Sequence, residues 1–164
     1  MSSIHIDPLE KRWLWAIGGM LAVFWGVQIY FAAVENMHPP SNVETIESAK
    51  LHLEGEFAEE NLGVKKEADG SYTVTMVAAR YGFYPQEVEV PAHTPVKFRI
   101  ASFDVLHGVH VPFSNMNTMV VPGYVSEVTT QFQTPGSFPM ICNEYCGLGH
   151  DYMYSKIHVT AGKS

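Results

Sequence analysis

From Trp13 to Val34 the chain runs for 22 residues without a formal charge, with Gln28 as the one strongly polar interruption. As a helix rising about 1.5 Å per residue, the run would span roughly 33 Å, enough to cross the hydrocarbon core of a bilayer. Trp13, Trp15, Tyr30 and Phe31 lie towards its two ends, where aromatic rings favour the headgroup region. Lys11 and Arg12 precede it, whereas Glu35 follows and no further basic residue occurs before Lys50. This asymmetry predicts a cytoplasmic N-terminus and places the rest of the chain outside the cytoplasm. A cleaved signal peptide is the main alternative, given the basic start and Ala32-Ala33, but its apolar stretch would be about 7–15 residues, shorter than this one. A buried core helix, apolar all round, would need a larger protein to cover it.

The whole chain has 164 residues, so one domain is expected beyond the anchor. Hydrophobic residues make up 46% and charged residues 16%, which excludes a disordered acidic tail and a basic nucleic-acid binder. Beyond the anchor, 15 acidic and 8 basic residues leave a formal charge of −7. Polyanionic partners are therefore disfavoured, and a cationic partner could be steered towards such a surface.

Pro39-Pro40, then Ser41 and Asn42, should stop the helix. Between Val43 and Leu62, the residues Val43, Ile46, Leu51, Leu53 and Phe57 are interspersed with six Glu, a pattern that predicts one or two short surface helices. After the Asp69-Gly70 turn the period becomes two: Tyr72, Val74 and Met76, then Val88 and Val90, then Val96, Phe98 and Ile100. Further strands are expected over Thr118–Val121, Val125–Phe132, Phe138–Ile141 and Ser155–Thr160, divided by Pro122-Gly123 and Pro135-Gly136. Seven or so short strands predict an all-β sandwich or Greek-key barrel. The expected organisation is a cytoplasmic N-terminus (1–12), a transmembrane helix (13–34), a connector (35–70) and a β domain (71–164).

The chemistry is concentrated in Cys142-Asn-Glu-Tyr-Cys146-Gly-Leu-Gly-His150-Asp-Tyr-Met153. Two thiols this close in an oxidising compartment would, by themselves, suggest a disulfide. Thiolate, imidazole and thioether donors in one loop point instead to a soft metal, and copper suits all three. A mononuclear blue-copper site uses one Cys, two His and an axial Met, so the second Cys is surplus to it. Two bridging thiolates could hold two copper ions, each capped by one imidazole. The best second imidazole is His107 in Phe-Asp-Val-Leu-His-Gly-Val-His110, and His110 is its rival. Zinc accepts Cys2His2 but leaves Met153 without a task. His5, His38, His52, His93 and His158 lack ligand spacing, and Met116, Met119 and Met140 suit core packing. No phosphate loop, nucleophile elbow or haem-attaching Cys-x-x-Cys-His is present.

Phe103 to His110, Pro135 to Phe138, and Cys142 to Met153 together resemble subunit II of the haem-copper oxidases, the subunit that carries the binuclear copper centre CuA. A single anchor before the β domain is similar to the short class B type. The resemblance implies a cupredoxin-like barrel in which Cys142 and Cys146 bridge two copper ions. His107 and Met153 would complete one ion, and His150 with the carbonyl of Glu144 the other. It further implies electron entry from cytochrome c, transfer to haem in a polytopic subunit I within the membrane, and oxygen reduction there. The aromatic cluster Tyr81, Phe83 and Tyr84 falls where such subunits accept electrons, and aromatic packing is the competing reading. Mitochondrial-type relatives also use the carboxylate at the place of Glu144 for a magnesium ion at the contact with subunit I, which makes Glu144 a candidate for that second role. The alternatives are the CuA subunit of a nitric-oxide reductase and a membrane-anchored copper-carrying module.

Overall fold

The computed structural model describes residues 7–34, 41–51, 53 and 55–162. Two compact units divide the chain, an N-terminal helix and a β domain. Pro39-Pro40, His5, His38 and His52 lie outside the described residues. Helix α1 (Pro8–Ala33) begins one turn before the apolar run: the Asp7 carboxylate accepts from Leu9 N–H at 2.8 Å, and Pro8 occupies the first helical position, where its missing N–H is no loss. Lys11 and Arg12 therefore belong to the helix. None of its side chains is buried, which removes the core-helix reading. By length and a mean hydropathy of 1.6, the helix can cross a membrane.

The β domain is a two-sheet sandwich, as the alternating pattern predicts. Its strands are β1 (Ser41–Thr45), β2 (Gly63–Lys66), β3 (Tyr72–Ala79), β4 (Gly82–Tyr84), β5 (Glu87–Pro91), β6 (Val96–Ser102), β7 (His107–His110), β8 (Asn117–Val120), β9 (Tyr124–Thr130), β10 (Gly136–Ile141) and β11 (Tyr154–Thr160). One sheet has the order β1-β9-β6-β3-β2, with β4 also on β3, and the other β5-β11-β10-β7-β8. The β3–β6 and β5–β11 pairs are parallel, and the remaining pairs are antiparallel. Val74, Met76 and Ala78 meet Phe98, Ile100, Val109, Met140 and Ile157 between the sheets.

The connector differs from expectation. Where one or two short helices are expected it has two single 3-10 turns, Ser48–Lys50 and Glu59–Asn61, and edge strands β1 and β2 flank them. Ser-Asn-Val-Glu-Thr and Gly-Val-Lys-Lys are too polar to signal a strand, as suits edges that expose one flank to water. Leu51 and Phe57 pack with Val77, Ala101 and Val125 as a second, smaller core. That cover explains why β3 is buried on both faces from Val74 to Ala78.

Arg99 ties this cover to the sheet. From β6 its guanidinium donates to Glu44 on β1, to Glu56 in the connector and to Glu127 on β9, at 2.6–3.0 Å. Burial would raise the Glu127 carboxyl, but hydrogen bonds and charge from Arg99 and Lys97 hold it below its ordinary value. Arg99→Met would leave three carboxylates facing one another, with an expected loss of about 2 kcal/mol at pH 7, discounted for the exposure of the partners. A carboxyl held down by folding stabilises above its ordinary pKa and loses that effect as pH falls through its folded value. The deficit should therefore shrink in acid, and thermal unfolding of both proteins at pH 7 and pH 4 checks it.

Candidate metal centre

Strand β10 ends at Ile141 and β11 begins at Tyr154, so the twelve residues between them form one loop. Its neck is closed by Cys142 N–H donating to the Met153 carbonyl at 3.1 Å, which places two proposed donors at the base of the loop. Within it, His150 N–H bonds the Gly147 carbonyl, and Met153 N–H bonds the His150 carbonyl, each at 3.1 Å. The fold thereby turns a sequence span into a cluster of donors. The Cys142 and Cys146 sulfurs are 3.8 Å apart and both cysteines are free, so the disulfide alternative is not adopted. Nδ1 of His107 lies 4.0 Å from the Cys142 sulfur, and the Glu144 carbonyl 3.2 Å from it. Nδ1 of His150 lies 3.6 Å and the Met153 sulfur 3.5 Å from the Cys146 sulfur. His107, Cys142, Cys146 and Met153 are at most 5% exposed.

His107 opens β7. Its Nε2 lies 2.9 Å from the Asp104 carboxylate, which orients the ring and turns Nδ1 towards Cys142. Asp104 also accepts from the backbone N–H groups of Arg80 and Val105, at 2.9 and 2.7 Å. Gly108 lets the ligand loop lie against β7: a Cβ there would meet the Asn143 side chain and stand 3.0 Å from the Glu144 nitrogen. Asn143 in turn donates to Asn117 on β8 at 3.1 Å. Asp104, Gly108, Asn117 and Asn143 were not among the sequence-predicted site residues; the one available signal was the Asp three places before a candidate ligand.

The two thiols are electrostatically unequal. Burial alone would raise Cys142, but hydrogen bonds from His107, from the backbone N–H groups of Glu144 and Gly108, and from His150 lower it to about 6. Cys146 is pushed up to about 11 by its burial and by the negative charge on Cys142. One thiolate beside one thiol is what two adjacent buried sulfurs settle into without a cation between them. Two thiolates, two imidazoles, a thioether and a carbonyl suit copper, and the donors present fit that ion. The only group of three or more His, Cys, Asp or Glu side chains placed to share an ion, among the described residues, is His107, Cys142 and Cys146.

Residues 74–160 match the family described as cytochrome c oxidase subunit II, periplasmic domain. Two cytochrome c oxidase subunits 2 from Thermus thermophilus are similar to the chain. One is 38% identical over 152 residues, covering 92% of this chain and 90% of that protein; the other is 39% identical over 121 residues, covering 74% and 90%. The chain belongs to the cytochrome c oxidase subunit 2 family. Among solved structures, a chain of a haem-copper terminal oxidase dimer matches with a TM-score of 0.73 and 29% identity, covering 93% of this chain and 99% of that one. The periplasmic domain of subunit II of Bradyrhizobium japonicum cytochrome oxidase, at 19% identity and a TM-score of 0.51, shares the fold. A periplasmic-domain family behind one apolar helix fits a single-pass membrane subunit.

Other predicted residues fall in different places. Phe83 is fully buried in the main core, so it offers no surface to an electron donor and the packing reading applies. Tyr81 and Tyr84 are 40% and 46% exposed. His110 sits on β7 facing away from the cluster's donors, and among the described residues nothing hydrogen-bonds its buried Nδ1. Met116 and Met140 are core residues, whereas Met119 is part-exposed. His158 contacts Glu87 at 3.3 Å. If Asp104 holds His107 in register, Asp104→Ala should lower copper affinity about 10–100-fold and Asp104→Asn less, because an amide oxygen still accepts. Competition with a chelator measures both.

Proposed function

We propose that this chain accepts electrons from a c-type cytochrome outside the cytoplasm and delivers them to a haem-bearing polytopic subunit of a terminal oxidase, where oxygen is reduced. The observation that carries this reading is the convergence of His107, Cys142, Glu144, Cys146, His150 and Met153 at one buried place, with successive donors 3.2–4.0 Å apart. When bound, a copper pair would supply a one-electron store. The chain's own residues do the rest. Cys142 and Cys146 would hold both ions, with His107 and Met153 on one and His150 and the Glu144 carbonyl on the other. Asp104 orients His107, and the closed loop neck keeps the donors in place. All positions are filled by protein, which suits transfer rather than substrate chemistry. Near-complete burial of four donors also disfavours a copper carrier, which needs an accessible site for exchange.

Trp13–Val34 then anchors the chain beside the haem subunit, with Lys11 and Arg12 on the cytoplasmic side. A magnesium ion on the Glu144 carboxylate would draw its other oxygen ligands from that subunit, since Glu144 joins no carboxylate cluster among the described residues. The nitric-oxide reductase alternative differs only in the partner, so oxygen and nitric oxide consumption by the purified complex separates the two.

Metal analysis of the full-length chain in detergent should give two copper ions, and one copper, or zinc retained in preference, contradicts the assignment. Cys142→Ser and Cys146→Ser should each abolish the paired-copper paramagnetic signal. Met153→Leu should keep an altered site with a shifted potential, because a thioether is a weak ligand. Docking of a basic cytochrome to a surface of formal charge −7 should slow as salt rises, since the Debye length shrinks from about 10 Å at 0.1 M to about 3 Å at 1 M. Stopped-flow reduction at several ionic strengths tests it. A rate that is flat or rises with salt points to apolar docking around Tyr81 and Tyr84.

A further inference from the structure

We infer that Tyr81 is a positioning residue: its ring is the surface against which the Cys146–His150 span is laid, setting the separation of those two donors. The inference rests on the reading of Cys146 and His150 as copper ligands. Only Gly147-Leu148-Gly149 lies between them, and Leu148 is 91% exposed, so its side chain holds nothing in place. Both glycines face the same ring. A Cβ on Gly147 would stand 2.9 Å from Oη and 3.1 Å from Cε1 of Tyr81, and a Cβ on Gly149 2.6 Å from both Cγ and Cδ2. The ring is thus in contact with the span from its root to its hydroxyl.

The two glycines have different reasons to be glycine. Gly147 has φ +130°, a conformation that by itself excludes most side chains. Gly149 has φ −99° and ψ 15°, which other residues adopt. At Gly149, therefore, the backbone does not demand the missing side chain; the Tyr81 ring does. The β3–β4 turn that carries Tyr81 is fastened on its other side, since Arg80 N–H donates to Asp104, which holds His107. One turn thereby braces His107 through a carboxylate and the Cys146–His150 span through a ring.

An electron relay through Tyr81 would change rates and leave the metal site alone, whereas a brace changes the site. The test uses the full-length chain in detergent with four variants: Tyr81→Phe, Tyr81→Ala, Gly149→Ala and the double variant Gly149→Ala/Tyr81→Ala. Three readouts are taken: copper affinity by chelator competition, the absorption and paramagnetic spectra of the loaded protein, and the reaction rate of the metal-free thiols with an aromatic disulfide reagent. Tyr81→Phe should match the wild type in all three. Tyr81→Ala should lose about tenfold or more in affinity, shift the spectra and expose the thiols. Gly149→Ala should also be impaired, yet adding it to Tyr81→Ala should cost nothing further, because the clash has gone. Should Tyr81→Ala fail to fold, Tyr81→Ser takes its place in the cycle. A harmless Gly149→Ala, a Gly149→Ala penalty that is the same with and without the ring, or a Tyr81→Ala protein unchanged in all three readouts overturns the inference. A wild-type chain that takes up no copper would overturn the functional reading instead, and thiol reactivity in the metal-free series would still decide the brace.

Discussion

Two buried cysteine sulfurs 3.8 Å apart in one loop are the constraint on which the metal centre depends. Ionising both without a nearby cation is unfavourable, because each negative charge raises the pKa of the other and burial raises both. The protein resolves half of this with its own groups: imidazole and backbone N–H donors bring Cys142 to about 6, while Cys146 stays protonated at about 11. The other half falls to a cation that displaces the second proton, so copper binding completes the electrostatics of the loop as well as its function.

Holding that arrangement requires stiffness from more than one direction. The loop neck is stitched into the β10–β11 ladder, which pairs through six successive residues from Gly136 to Ile141. Its near side lies on Gly108 of β7, with Asn143 fastened to Asn117 of β8, so four neighbouring strands of one sheet position the donors. The other sheet contributes through the β3–β4 turn. A site gripped by both layers of a sandwich keeps its geometry when its charge changes, as low-barrier electron transfer requires.

Where a signal depends on periodicity or on donor chemistry, the sequence carried it: the helix in the uncharged run, β3, β5 and β6 in their alternation, and the cluster in the Cys142–Met153 string. Where a role depends on a long-range neighbour, it was illegible. Edge strands β1 and β2 lack apolar alternation because one flank faces water, and they are strands only because β9 and β3 pair with them. Leu51 and Phe57 looked like surface-helix residues because the sheet face beneath them, with Val77, Ala101 and Val125, is assembled from three strands distant in sequence. Phe83 and Tyr81, two residues apart, could not be ranked from composition; the short β4 strand sends Phe83 into the core, while the preceding turn leaves Tyr81 on the ligand loop. Asp104 stood in view within Asp-Val-Leu-His, yet its task appears only when Nε2 of His107 is found against its carboxylate.

The same enclosure bears on how copper enters. His107 and Met153 are at most 1% exposed and the neck is closed by the Cys142–Met153 backbone bond, whereas a cavity lined by Cys142, His150, Asp151 and Met153 opens beside the donors and gives an ion its side of approach. The main core holds Met140 of β10 and Ile157 and Val159 of β11, whereas Tyr145, Leu148 and Tyr152 on the loop are exposed. Between Cys142 and Met153 the backbone is turn and 3-10 rather than sheet ladder, so adjustment of its exposed side chains around an incoming ion would leave both sheets paired. A resident electron-transfer metal needs this division, because the residues that admit the ion are then distinct from the strands that hold its geometry once it is in place.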